Sequence, residues 1–85
     1  MTPSEALQDI RGYALAGRIE ISPHARGSMR KRGAVFADVR HALATATACR
    51  AEPRDRWRVD SVDCEGDSLT VVVVLEGGVV VVTVF

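Results

Sequence analysis

The sequence predicts an α+β fold, in which N-terminal helices pack on an antiparallel meander of three or four strands. Two observations predict this class. The first half of the chain contains segments with helical spacing of apolar residues, separated by Gly17 and Gly33. The last part consists of two valine-rich runs on either side of Gly77-Gly78, a pattern typical of a β-hairpin. With 85 residues, 47% of them hydrophobic, residues 1–85 should form a single domain with its own core.

The first predicted element is a helix that opens with Ser4–Leu7 and runs to about Ala16, with Pro3 or Ser4 near its cap and Gly17 as the stop signal. Its apolar residues, which we expect to contact the core, are Leu7, Ile10 and Leu15.

A short strand, Arg18–Ile21, should lead directly into a second helix. Ser22 is a good N-cap and Pro23 suits the first helical position. The helix then runs to Arg32 and ends at Gly33, because glycine readily adopts the left-handed conformation that closes a helix.

The faces of this second helix differ in character. Ala25 and Met29 fall on the inward face, whereas Arg26 and Arg30 point away from it. The polar stripe that flanks the inward face comprises His24, Ser28, Lys31 and Arg32. The start of a helix is also a place where an anion can be held.

A third helix is predicted from Phe36 to about Ala48. Its inward residues are Val39, Ala42, Leu43 and Ala46.

The final hairpin joins Thr70–Leu75 to Val79–Phe85. A two-residue Gly77-Gly78 loop would pair Glu76 with Val79 and Val72 with Thr83. The face predicted to lie under the helices comprises Val71, Val73, Leu75, Val80, Val82 and Val84.

The preceding strand, Trp57 to Cys64, has two alternative registers. A two-residue loop would bury Arg58 and Asp60, whereas a three-residue loop, Glu65–Asp67, buries Trp57, Val59 and Ser61 instead. We choose the three-residue loop, because burial of an unpaired charge is costly. Arg58 and Thr83 then share the open face of the sheet.

The net charge is zero, but the positive charge is concentrated in the middle of the chain. Residues 18–58 contain ten of the eleven basic residues and four acids, a net charge of +6, which leaves −6 for the two ends. This separation favours a basic face for an anionic partner, although a helix surface balanced by nearby acids is the alternative. A neutral total is low for a dedicated nucleic-acid binder.

The sequence gives no indication of a cofactor, a metal site or a membrane segment. Cys49 and Cys64 lack metal-binding spacing, and no glycine-rich phosphate loop is present. No apolar run approaches the length of a membrane helix, and the N-terminal segment lacks the pattern of a signal peptide. We therefore expect no cofactor, no membrane association and a cytoplasmic location.

These elements together resemble the DUF4258 family over roughly residues 15–85. The motifs that carry the resemblance are Ser22-Pro23-His24-Ala25, Met29, Arg32-Gly33, Asp38-Val39, Ala42-Leu43 and the terminal Val82-Thr83-Val84-Phe85. That family is similar to the BrnT and RelE-like toxins, small metal-independent ribonucleases that place N-terminal helices against a four-stranded antiparallel sheet. The resemblance matches His24 and Arg32 to the family's histidine and arginine, whereas Ser28 stands where a basic side chain is expected.

Metal-free RNA cleavage needs a general base, a general acid and a cation for the phosphorane-like transition state. The predicted catalytic residues are His24, Arg32 and Arg58. The residues predicted to bind RNA are Arg26, Arg30, Lys31, Arg54, Arg56 and Thr83. In the alternative interpretation, His24 hydrogen-bonds a backbone carbonyl and fixes its helix to the sheet, and the arginines of residues 54–58 form an exposed edge.

Two functions are therefore open. The first is a RelE/BrnT-like toxin of a toxin–antitoxin pair, which cuts or binds RNA and whose basic face an antitoxin covers. The second is a non-catalytic protein-binding or regulatory module on the same scaffold. Because an exposed valine-rich edge strand is an aggregation liability unless it is paired, a homodimer or a complex with a protein partner is expected in either case.

Overall fold

Three helices and five strands make up the fold of the chain in a computed structural model, which describes residues 1–85. The helices are α1 (Pro3–Leu15), α2 (Pro23–Arg32) and α3 (Phe36–Ala44). The strands are β1 (Ile19–Ile21), β2 (Arg50–Glu52), β3 (Arg56–Val62), β4 (Ser68–Leu75) and β5 (Val79–Val84). The sheet order is β1-β5-β4-β3-β2, with β1 parallel to β5 and every other pair antiparallel. The predicted α+β class is confirmed.

The first helix begins one residue earlier than predicted, because Thr2 is its N-cap. The Thr2 hydroxyl accepts a hydrogen bond from Glu5 N at 3.2 Å, and the Glu5 carboxylate accepts one from Thr2 N at 2.8 Å. This capping box satisfies two backbone donors at the start of the helix.

No helix in the fold has both the length and the hydropathy that crossing a membrane requires.

The core face of α1 is built from small residues. Ala6, Ile10 and Ala14 are fully buried and recur every four residues, whereas Leu15 is 63% exposed. The predicted core contact of Leu15 is therefore wrong, since Leu15 directly follows buried Ala14 and lies about 100° further around the helix.

The carbonyl end of α1 is closed by a side chain from α3. Arg40 Nε donates to Ala14 O at 3.0 Å, and Arg40 Nη2 donates to Leu15 O at 2.9 Å. A cation at the C-terminus of a helix also interacts favourably with the helix dipole. Arg40 therefore joins two helices as well as closing one.

The second helix agrees with the prediction at both ends. Ser22 is the N-cap, with its hydroxyl accepting from Ala25 N at 3.1 Å, and Gly33 closes the helix at φ 74°. Ala25 and Met29 are the residues that α2 buries.

The third helix ends at Ala44, four residues before the predicted end. The Thr45 hydroxyl donates to His41 O at 2.7 Å, so a side-chain hydrogen bond satisfies one of the carbonyl groups at the end of the helix. At the other end, Asp38 accepts from Val35 N at 3.0 Å and from Cys64 N at 3.2 Å, which ties the start of α3 to the β3–β4 loop. The Val35 and Cys64 amides lower the pKa of Asp38.

The register of the final hairpin differs from the prediction in its first half. Leu75 pairs with Val79, so the loop has three residues and Glu76 does not pair with Val79. An irregularity next to Val82 then shifts the register, and Val72 pairs with Thr83 as predicted. Such a bulge adds one residue to one strand.

The three-residue loop and the bulge together change which residues of β5 face the helices. Val79 and Val81 are buried, whereas Val80 and Val82, predicted to be inside, are only half-buried. The turn is held by β1, because Val79 N donates to Arg18 O at 3.0 Å. At Gly78 an added Cβ would lie 3.1 Å from that oxygen, so only a glycine fits there easily.

The loop between β3 and β4 has five residues rather than the predicted three, since Val62 pairs with Ser68. Because the loop is longer by two residues, an even number, the same side chains of β3 still face the helices as in the predicted register. Val59 is accordingly buried and packs with half-buried Trp57, and Arg58 lies on the open face beside Val72, as predicted.

The valine-rich strands are internal, so the expectation of an exposed valine-rich edge is wrong. The edges of the sheet are β1 and β2, which have three residues each. Short edge strands limit uncontrolled pairing with other chains. The predicted homodimer is therefore no longer supported by an exposed valine-rich edge.

We expect Arg40→Met to lower the free energy of unfolding by about 1 kcal/mol, because two carbonyls of α1 lose a charged donor while the aliphatic stem is kept. Chemical denaturation monitored by circular dichroism measures this change. Arg11→Met, on the exposed side of α1, is the control and should leave stability unchanged; equal effects of the two variants would contradict the role of Arg40.

Candidate functional site

The polar stripe of α2 and the end of β5 form the two walls of a cleft. Its lining residues are Pro23, His24, Gly27, Ser28, Lys31, Arg32, Thr83, Val84 and Phe85. The structure thus brings together four of the nine predicted site residues, namely His24, Lys31, Arg32 and Thr83.

Two serines hold α2 against β5 and so create this cleft. Ser22 Oγ donates to Val82 O at 3.3 Å. Ser28 Oγ accepts from Val84 N at 3.0 Å and donates to Ala25 O at 3.0 Å. The role of Ser28 was not predicted from the sequence, which indicated only that a basic residue was missing there. A hydroxyl is suited to this position because it accepts from a strand while donating to a helix.

His24 lies at the mouth of the cleft, at the second position of α2, and is exposed. The hydrogen bonds that fix α2 to the sheet come from Ser22, Ser28 and Arg32. The alternative interpretation, in which His24 anchors the helix, therefore has no support in these contacts. The imidazole remains accessible to a ligand.

Arg32 lies at the other end of the cleft, where α2 ends. One of its terminal nitrogens donates to Ser68 O at the start of β4. This contact fixes the direction of a half-buried side chain and uses one of five guanidinium donors. Lys31 beside it is exposed, so the cleft has one cation held by a hydrogen bond and one exposed cation.

Arg58 approaches the cleft from the open face of the sheet. Its Nε lies 3.2 Å from Asp60 Oδ1, and its guanidinium carbon lies 5.0 Å from the centroid of the Phe85 ring. Since Arg58 is on β3 and Phe85 follows β5, the side chain crosses β4, where Val72 is only 4% exposed. The distance to the ring is that of a cation–π contact.

Asp60 positions this arginine. Its carboxylate accepts from Thr70 Oγ1 at 2.8 Å as well as from Arg58. The Thr70 hydroxyl, and to a smaller extent Arg58, lowers the pKa of Asp60. Arg58, Asp60, Thr70 and Phe85 therefore form a connected network on the open face.

The remaining predicted RNA contacts lie elsewhere. Arg26 and Arg30 line a separate groove along β1, on the other side of α2. Arg54 lies in the β2–β3 turn with φ 67°, and Arg56 begins β3, next to the edge strand β2 at the far side of the sheet. The positive charge of residues 18–58 thus covers three surfaces and not one continuous face.

Phe85 is a site residue that sequence reasoning missed as a cleft wall. It is 53% exposed and is held by two hydrogen bonds with the Thr70 backbone, at 2.7 and 2.9 Å. An aromatic side chain on the open face of a strand, beside a predicted cation, is the signal that could have identified it.

No group of three or more His, Cys, Asp and Glu side chains converges in the fold. Comparison of the chain with protein-family models gives no match, and its comparison with characterised proteins and with solved structures gives no significant match.

We expect Ser28→Ala to lower the free energy of unfolding by about 1–2 kcal/mol, because Val84 N would lose its acceptor in a partly buried position. Denaturant unfolding measures the loss, and Ser4→Ala on the exposed start of α1 is the control. A stability equal to that of the wild type would show that Ser28 does not hold β5.

We expect a pH-dependent contribution of Asp60 to stability. Because its pKa is lowered in the folded protein, the contribution is present above the unfolded value of about 3.9 and is lost as pH falls through the folded pKa. The wild type should therefore exceed Asp60→Asn in stability at pH 6, and the difference should shrink towards pH 2. A difference that does not change with pH would contradict this assignment.

Proposed function

We propose that the chain is a RelE/BrnT-like toxin of a toxin–antitoxin pair that acts on RNA in the bacterial cytoplasm. The observation that carries the proposal is the convergence of His24, Lys31 and Arg32 with Thr83 and Phe85 in one cleft. This convergence supports the pairing of a histidine with an arginine that the DUF4258 resemblance implies.

Each residue of the cleft has a role in this proposal. His24 acts as the general base or acid at the 2′-hydroxyl or the leaving oxygen. Arg32, whose direction is fixed by Ser68 O, binds two phosphate oxygens through its planar group, and Lys31 adds a second cation. Thr83 offers a hydroxyl to the backbone of the RNA.

The Phe85 ring offers a stacking surface for a base next to the scissile phosphate. Arg58 acts beside this ring, since its guanidinium carbon lies 5.0 Å from the ring centroid. In this proposal the reaction needs no metal ion, because the cations are supplied by side chains.

A second candidate is a non-catalytic protein-binding or regulatory module. The residues that line the cleft include one histidine, His24, and no carboxylate. This composition favours the second candidate. General acid and base roles would then have to be divided between His24 and Lys31. Both predicted catalytic arginines also already bind protein groups, Arg32 with Ser68 O and Arg58 with Asp60.

We expect His24→Ala to reduce RNA cleavage at least ~100-fold without unfolding the protein, because the exposed imidazole is proposed as the proton-transfer group. Purified wild type and variant are compared on a labelled single-stranded RNA with EDTA present, and circular dichroism confirms folding. His41→Ala, on α3 outside the cleft, is the control.

Arg32→Lys tests the phosphate role, because it keeps the charge and removes the planar fork. Induced expression of the same variants in a bacterial host gives the matching growth measurement. Growth arrest with RNA cleavage in the wild type and in His41→Ala, but not in the two cleft variants, supports the toxin function. Normal growth and intact RNA with folded wild-type protein would contradict it and favour the binding module.

A further inference from the structure

The outer edge of β1 has unpaired backbone groups. Arg18 O accepts from Val79 N, and Ser22 N donates to Val81 O. In a parallel pair, alternate residues direct both backbone groups to the neighbouring strand, so Arg18, Glu20 and Ser22 face β5. Ile19 and Ile21 must then direct their N–H and C=O groups away from the sheet.

A groove lies along this edge, between β1 and α2. Its apolar lining includes Ile19, Ile21, Met29 and Phe36, and Phe36 is 45% exposed. An unpaired strand edge beside an apolar groove is what a partner uses when it adds a strand to a sheet.

The charges of the groove lack partners within the molecule. Arg26 and Arg30 are one helical turn apart on the exposed side of α2 and both line the groove. The salt bridge of the molecule joins Arg58 to Asp60, so neither of these arginines has a carboxylate partner. Glu20, which is paired with Val80 in β5, also lines the groove but forms no salt bridge with either arginine.

A second copy of this chain fits the edge poorly. Antiparallel pairing of two β1 strands about a two-fold axis through Glu20 would place the two Glu20 side chains opposite each other, and like charges in that position are destabilising. Such pairing would also bring the arginine pairs of both copies together.

We propose that the β1 edge binds an extended segment of a different protein, which adds a strand beside Ile19 and Ile21. Its side chains on the helix side are apolar and acidic, to match Met29, Arg26 and Arg30. Its side chains on the open side are neutral or basic where they meet Glu20. The site is separate from the cleft and does not depend on RNA cleavage there.

The test uses two capped peptides of identical composition and the full chain labelled with ¹⁵N. The first, Thr-Val-Lys-Glu-Thr-Val-Thr, places valine and glutamate on one face and lysine on the other. The second, Thr-Val-Glu-Lys-Thr-Val-Thr, exchanges the two charges between the faces. We expect the first peptide to bind about tenfold more tightly and to shift the amide signals of Ile19, Ile21 and residues 26–30.

Charge reversal on the protein identifies the residues involved. Arg26→Glu and Arg30→Glu should each weaken binding of the first peptide several-fold, and Arg11→Glu on the exposed side of α1 should not. The amides of Ile19 and Ile21 should also exchange with solvent more slowly when the first peptide is bound, because they become hydrogen-bonded.

Several results would overturn the proposal. Equal binding of the two peptides, or no shift at Ile19 and Ile21 at millimolar peptide, would show that the arginines only protect a short edge from pairing. Concentration-dependent shifts of these amides without peptide would assign the edge to self-association. Shifts produced by an oligouridylate and by neither peptide would assign the groove to nucleic acid.

Discussion

The outer edge of β5 is the feature on which the rest of the structure depends. Two different elements satisfy it in succession, first the backbone of β1 at residues 79–81 and then the serines of α2 at residues 82–84. A strand of this hydrophobicity would otherwise present a row of unpaired groups to solvent. The same hydrogen bonds fix the position of α2, so the protection of the edge and the formation of the cleft have one cause.

The two surfaces beside α2 follow from this arrangement. The helix lies over the place where β1 stops, so one of its sides meets the end of β5 and the other meets β1. His24 and Lys31 belong to the first side, and Arg26 and Arg30 to the second. A single short basic helix therefore serves two separate surfaces, and its charges cannot be treated as one binding site.

Local sequence signals predicted the ends of α2 well, because Ser22 and Gly33 act through contacts within a few residues. The side of the sheet on which Arg58 lies was also predictable, because the alternative strand register would have buried its unpaired charge. The register of β5 was not, because the bulge near Val82 and the contact of Gly78 with Arg18 depend on a parallel strand distant in sequence. The sequence placed Ser28 on one stripe with His24, Lys31 and Arg32, but its role was not predictable, because the hydrogen bond from Val84 N depends on how α2 packs on β5.

The position of Phe85 has a practical consequence for experiments on this chain. Because this residue forms part of the cleft wall, an affinity tag or fluorescent protein fused after it would emerge beside His24 and Arg32 and obstruct their access. Met1 lies near Trp57 and Glu76, towards the opposite end of β4. A fusion at that end leaves the cleft open, so the placement of the tag decides whether a negative binding result is informative.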